Sequence, residues 1–288
     1  MFKSILVATD LSEASDHVVA CMSALRPLGA EKVVLLYCLG LRHIEDMKNL
    51  LIPLVQPKLN AQKSVLEKAG FQVVAEIAAG LPQFDVSRVA AEKDCSLIAV
   101  GSRGQTASDE IMLGGIASEV IHSAVKPVLI LRLWLKKEKG DVCHAVACHP
   151  LEHVLFPTDF SDNAEHAFSY VEKIAESGVK RVTLLHVQDQ GKIDRHLKDR
   201  LAEFNRIDTE RLERLKAELG KRGVRDVAIE LPYGSPKQEI LNRTHKGDIS
   251  LVVMGSQGRG YISEVFLGSV SHAVTRHSEA SVLLIPAP

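Results

Sequence analysis

The sequence predicts an α/β chain made by tandem duplication, with two doubly wound domains that each hold a five-stranded parallel sheet in the order 3-2-1-4-5. Two repeated segments and one rhythm predict it. Lys3-Ser-Ile-Leu-Val-Ala-Thr-Asp10-Leu-Ser-Glu matches Glu152-His-Val-Leu-Phe-Pro-Thr-Asp159-Phe-Ser-Asp at an offset of 149, and Leu97-Ile-Ala-Val-Gly101-Ser matches Leu251-Val-Val-Met-Gly255-Ser at an offset of 154. Between them, short continuous apolar runs alternate with amphipathic stretches, the pattern of parallel strands covered by helices on both faces.

The elements follow in order. In the first copy the strand-like runs are Ile5–Ala8, Val33–Tyr37, Gln72–Ile77, Leu97–Val100 and Val128–Leu131, with helical patterns such as Ala14–Leu25 and Phe84–Lys93 between them. In the second they are Val154–Phe156, Val182–Val187, Val227–Leu231, Leu251–Met254 and Val282–Ile285. Ser12 and Ser161 follow the Thr-Asp pairs as natural N-caps, because a hydroxyl oxygen can accept from an unpaired first-turn N–H. Gly178 and Gly223 suit left-handed helix ends. Pro53 and Pro57 predict a kink or break in the long helix of the first copy. The matching stretch Ile193–Arg222 reads as one outer helix, with Ile193, Leu197, Leu201, Phe204, Leu212, Leu215 and Leu219 inward and charge pairs such as Asp194–Lys198 and Glu210–Arg214 outward.

These elements give a first domain at 1–133, a linker at 134–150 and a second domain at 151–288. The apolar last strands Val128–Leu131 and Val282–Ile285 are edges prone to aggregation, so the two domains are expected to pair through them within the chain, with a further homodimer open.

Charge and composition exclude some classes. Of 288 residues, 46% are hydrophobic and 25% charged, with a net charge of −1, so no global field draws the chain to nucleic acid or an anionic membrane. No apolar run is long enough to span a bilayer, and the N-terminus lacks the pattern of a signal peptide, so a cytoplasmic location is expected. The five cysteines, an odd number without a dense framework, are expected to be reduced thiols. The linker carries Cys143-His144 and Cys148-His149, but adjacent Cys-His pairs cannot easily all face one tetrahedral metal, and no metal site is assigned.

The chemistry is concentrated in a repeated loop. Gly255-Ser256-Gln257-Gly258 is followed by nine residues and Gly268-Ser269; Gly101-Ser102-Arg103-Gly104 is followed by nine residues and Gly114-Gly115. Glycines let the backbone turn with its N–H groups exposed, and the helix opened by Gly268-Ser269 presents a positive dipole end that suits phosphate. The hydroxyls of Ser269 and Ser271 can add donors, and Arg259 can add charge. In a 3-2-1-4-5 sheet the first and fourth strands flank the crevice where strand order reverses, so Asp10 and Asp159, at the first-strand ends, should meet the loops there. Glycines that merely shape strand-to-helix turns would not explain the whole spacing being retained twice, each time beside a Thr-Asp pair.

On these residues the chain resembles the universal stress protein family, as a tandem member of its ATP-binding branch, over nearly everything except the linker. The resemblance implies binding of an adenine nucleotide, ATP or AMP, with Mg²⁺ as a candidate companion that Asp159 could help to hold. It places Asp159 and Val187 near the adenosine, and Gly255, Gly258, Gly268 and Ser269 around ribose and phosphates. Met254, Gln257, Arg259, Val270 and Ser271 complete that pocket. A second site would use Asp10, Cys38, Gly101, Arg103, Gly104, Gly114 and Gly115. There Gly115 replaces the Ser and Cys38 the Val, so the loss of one hydrogen bond, ~1 kcal/mol, makes the first site the weaker or an empty one.

No Walker, kinase or Ser-x-x-Lys signature appears, so at most slow ATP hydrolysis is expected; the resemblance implies a stress-response regulator. A slow ATPase or phosphotransferase, or an interaction module with degenerate pockets, are the alternatives. His17 and His166 fall on equivalent helix positions and read as surface or packing groups rather than catalytic ones; His186, at a strand end beside the expected adenine, is left open between packing and ligand contact.

Overall fold

The computed structural model describes residues 1–40, 45–102, 113–132, 135–137, 143–145, 148–196, 198–258 and 267–288. The chain divides into two compact units, Met1–Cys148 and His149–Pro288.

The first unit runs β1 (Ser4–Thr9), α1 (Glu13–Cys21), a 3-10 helix (Met22–Leu28), β2 (Lys32–Cys38), α2 (Glu45–Lys68), β3 (Gln72–Ala78), α3 (Pro82–Glu92), β4 (Leu97–Gly101), α4 (Gly115–Ser123) and β5 (Val128–Leu131). Its parallel strands are ordered β3-β2-β1-β4-β5, with registers Ile5↔Val33 and Ile5↔Leu97 on either side of β1. The core is the set of β-branched and leucine side chains of those strands: Ile5, Leu6, Val7, Val33, Leu35, Leu97 and Ile98 are fully buried. Two short antiparallel strands, β6 (Leu135–Lys137) and β7 (Cys143–Ala145), follow in the segment read from sequence as the linker.

The second unit repeats the plan: β8 (His153–Pro157), α5 (Asp162–Glu176), β9 (Arg181–Leu185), β10 (Gln188–Asp189), α6 (Gln190–His196), a 3-10 turn (Lys198–Arg200), α7 (Leu201–Lys221), β11 (Asp226–Glu230), β12 (Tyr233–Gly234), α8 (Pro236–Thr244), β13 (Leu251–Gly255), α9 (Ser269–His277) and β14 (Ser281–Ile285). The parallel order is β11-β9-β8-β13-β14, again 3-2-1-4-5. Ser12 and Ser161 cap α1 and α5, accepting from Ser15 N and Ala164 N, and Gly178 and Gly223 take φ of 90° and 93°.

Three expectations change. Of the kink or break expected at Pro53 and Pro57, no break occurs: α2 runs through them as one 24-residue helix. Both prolines lie one turn apart on its exposed face, where the carbonyls that lose their partners can bond water. The helix expected over Ile193–Arg222 is instead divided into α6, the 3-10 turn and α7. The β10–β12 ladder and a Tyr233 hydroxyl donating to Asp194 Oδ1 at 2.6 Å anchor α6 separately, so it does not continue directly into α7. Finally, the thiols are not all free: Cys21, at the end of α1, is joined to Cys148 as a disulfide with Cα atoms 5.2 Å apart. A cysteine count is blind to such a pair, because the topology that returns the chain after β7 to α1 is not a local property of the sequence. Among the described residues no helix is long and apolar enough to cross a membrane, and no group of three or more His, Cys, Asp or Glu is gathered to hold a metal.

Candidate functional site

Each first strand ends in the same hydrogen-bonded turn. Thr9 Oγ1 accepts from Leu11 N at 3.1 Å and Thr158 Oγ1 from Phe160 N at 3.0 Å, holding Leu11 and Phe160 at φ of 59° and 56°. Side chains rarely adopt that left-handed conformation, so the turn is over-determined by its bonds. The acid between is fixed as well: Asp10 Oδ1 accepts from Ser12 N and Oγ at 3.1 and 2.5 Å, and Asp159 Oδ1 from Ser161 N and Oγ at 3.1 and 2.6 Å. One carboxylate oxygen is thereby committed to the turn and its side chain is locked at the mouth of the crevice.

The glycine loop meets that carboxylate in the second unit. A Cβ on Gly258 would stand 2.6 Å from Asp159 Oδ2, closer than real Cβ contacts come, so only glycine admits this approach. Gly255 is confined by the Gln257 and Asn163 carbonyl oxygens, 3.1 and 3.2 Å from its would-be Cβ. The ends of the nine-residue excursion are pinned together by Gly268 N donating to Ser256 O at 2.7 Å, and in the first unit Gly114 N donates to Ser102 O at 2.8 Å. α9 and α4 then begin with Gly268 and Gly114 as N-caps, glycines that bring no side-chain oxygen to the first-turn N–H groups. A helix start without a side-chain cap can offer those donors and its positive end to an outside acceptor.

The other sequence-predicted residues fall as follows. Val187 and Met254 are buried at 8% and 5% exposure, and Ser269 is exposed at the first turn of α9 beside the half-buried Val270. Ser271, expected as a phosphate donor, is 4% exposed and its hydroxyl donates to the Gly255 carbonyl at 2.8 Å, clasping α9 to the end of β13. Arg259, Arg103 and Gly104 lie outside the described residues. His186 is buried among neighbours of its own unit. Its Nδ1 lies 2.7 Å from the Thr158 carbonyl oxygen, its Nε2 3.5 Å from Asp208 Oδ2, and its ring 4.6 Å from that of Phe160.

In the first unit the same place is a cavity of about 300 Å³, at the small end of ligand sites. Asp10, Cys38, Gly101, Gly114 and Gly115 all line it, with Tyr37, Pro82, Val86 and Ile116 supplying the apolar wall. Burial, with the Asp85 charge adding and Arg88 opposing, pushes the Cys38 thiol up to about 12. It is therefore a neutral wall group at ordinary pH and no nucleophile. Tyr37 is likewise raised, by burial and then by Asp10.

Two residues that support the site escaped the sequence reading. Gln62 of α2, 3% exposed, accepts from Thr9 Oγ1 at 2.8 Å and donates to Ser15 Oγ at 3.1 Å and Asp16 Oδ1 at 2.6 Å, tying α2 to the turn that carries Asp10. Its signal is a polar residue in the apolar stripe between Leu59 and Leu66, both buried. The second is Asp85, whose carboxylate Oδ2 would be 2.2 Å from a Cβ on Gly80; in the other copy Glu239 Oε1 would be 2.9 Å from one on Gly234. The signal there is a Gly-x-Pro-x-x-acid repeat, Gly80 to Asp85 and Gly234 to Glu239, at the same offset of 154 as the loop.

A doubled α/β unit with a glycine loop and a strand-end acid at the switch point defines a doubly wound fold, the class that holds ligands in the crevice at the carboxyl ends of its strands. The sequence profile of the Universal stress protein family matches residues 1–132 and 150–286, and the chain belongs to that family. Among its relatives, Universal stress protein MJ0577 of Methanocaldococcus jannaschii is 30% identical over 155 residues, covering 46% of this chain and 96% of that protein. Universal stress protein YxiE of Bacillus subtilis is 29% identical over 144 residues, with 46% and 97% covered. A universal stress protein from Archaeoglobus fulgidus shares the fold across both units, with a TM-score of 0.73 at 24% identity and 98% and 95% of the two chains covered.

Proposed function

We propose that the protein is an adenine-nucleotide-binding regulator of the stress response that holds ATP, ADP or AMP at the strand-order switch of its units. The second unit is the tighter site in this reading. The observation that carries it is the contact of Gly258 with the Asp159 carboxylate, which brings the strand-end acid and the glycine loop to one point. The uncapped first turn of α9 then faces a phosphate, with Ser269 adding a hydroxyl that Gly115 lacks in the first unit. The cavity beside Asp10, Tyr37 and Cys38 supports a second, weaker site there. If Mg²⁺ accompanies the phosphates, Asp159 is the carboxylate placed to help hold it, as a hard oxygen ligand.

Regulation by such a ligand requires that nucleotide-bound and empty forms differ in affinity for a partner. The experiment is titration calorimetry of ATP, ADP and AMP on the full chain, with phosphate release measured in parallel. Binding without turnover supports the regulator; turnover abolished by Gly268→Val supports a slow ATPase; no binding at millimolar nucleotide removes both.

A further inference from the structure

The two copies differ where the fourth strand of each sheet ends. Ser271 of α9 gives its hydroxyl to the Gly255 carbonyl at 2.8 Å, and both residues are buried. The residues at the same places in the first unit, 154 positions earlier, are Ala117 and Gly101. Ala117 is as buried as Ser271, 2% against 4% exposed, but it has no hydroxyl to give. Gly101 is only half-buried, and both it and Ala117 line the cavity. Close packing of α4 on β4 requires a small residue, and that accounts for the size of Ala117. It does not supply the Gly101 carbonyl with the donor that its counterpart has.

The backbone says where that carbonyl points. Ile98 N and Ser102 N donate to the Pro127 and Leu131 carbonyls on the β5 side, both at 2.9 Å, so the alternate residues of β4 face β5 and Gly101, between two of them, faces β1. The β1–β4 ladder ends at Val7↔Ala99, which leaves Gly101 beyond it, in the crevice that Asp10 also lines. Gly114 N, at the start of α4, donates to the carbonyl of Ser102, the very next residue, at 2.8 Å. A nucleotide with its phosphates on that helix start therefore brings its pentose, whose hydroxyls are donors, to the Gly101 carbonyl.

We propose that the Gly101 carbonyl accepts a pentose hydroxyl from the nucleotide held in the first unit, and that Ala117 determines this specificity by leaving the carbonyl open. The second unit, with Ser271 on the Gly255 carbonyl, lacks the preference. The inference rests on the nucleotide reading. One neutral hydrogen bond corresponds to about threefold to tenfold in affinity.

The test titrates AMP, 2′-deoxy-AMP and 3′-deoxy-AMP onto the full chain carrying Gly258→Val, which closes the second site. AMP should bind at least about threefold more tightly than one of the two deoxynucleotides, and adding Ala117→Ser should bring all three within about twofold by lowering the affinity for AMP. Ala117→Gly leaves the carbonyl open and should keep the preference, whereas a merely structural Ala117 would change the binding of all three nucleotides together in either variant. Equal affinities in the Gly258→Val chain, a preference that survives Ala117→Ser, or its loss in both variants overturns the inference. AMP bound by the unsubstituted chain but not by the Gly258→Val chain also overturns it, and leaves the nucleotide reading standing. AMP bound by neither removes that reading as well.

Discussion

Asp159 Oδ2 and Gly258 occupy each other's space so closely that the loop can carry no side chain there, with a Cβ falling 2.6 Å from the oxygen. The strand-end acid and the glycine loop are therefore one structural unit.

Gly258→Ala should destabilise the second unit by about 1–3 kcal/mol through overpacking and weaken its nucleotide binding. Adding Asp159→Gly relieves the collision but also removes the two hydrogen bonds from Ser161, so the double variant should lose less stability in urea than the sum of the two single variants, without recovering affinity. Recovery of affinity would mean that Asp159 does not serve the ligand.

Gln62→Leu should cost about 1–3 kcal/mol, because Thr9, Ser15 and Asp16 each lose a buried or half-buried partner. Nucleotide affinity of the first unit should fall with it, while that of the second stays. Calorimetry with the second site closed by Gly258→Val reads the first effect, and calorimetry on the Gln62→Leu chain alone reads the second.

Cys38 gives a pH signature. Its native thiol, raised to about 12, holds its proton above the ordinary value of 9.0, so between those values the unfolded chain loses a proton that the native chain keeps. Stability is complete below pH 9 and should decline as pH rises from about 9 toward 12, a slope that Cys38→Ala should reduce. In the native chain Cys38 should also react slowly with iodoacetamide at pH 8.5. Fast labelling there would contradict its assignment as a neutral wall group.

The Cys21–Cys148 bridge predicts that alkylation of the unfolded, unreduced chain labels Cys38 and Cys95 and spares Cys21 and Cys148. Peptide mass mapping reads this directly. Cys148→Ser should lower stability by about 2–4 kcal/mol, the usual worth of closing a long loop.

Much of this architecture was legible because it was written twice. Matching Asp10 to Asp159 and Gly101 to Gly255 gave the duplication, and apolar runs such as Val33–Tyr37 and Leu251–Met254 gave buried parallel strands without reference to their neighbours. The strand ends drifted by a residue or two, since backbone pairing such as Ser4↔Lys32 continues past the last apolar side chain. What could not be read depends on long-range contact. Proline propensity predicted a kink or break in α2; the helix is not broken, and the exposure of Pro53 and Pro57 is what lets it continue. Ser271 has the residue type of a phosphate donor, and only the packing of α9 on β13 shows its hydroxyl turned to the Gly255 carbonyl. The pairing of Cys21 with Cys148 spans 127 residues, and no local pattern announces it.

Titration calorimetry of ATP on the full chain against the Gly258→Val chain tests the central claim most directly. The account predicts saturable binding to the unsubstituted protein, with the tighter phase absent from the variant and both chains folded by circular dichroism. Identical isotherms for the two, or no heat of binding at millimolar ATP, ADP and AMP, would contradict it.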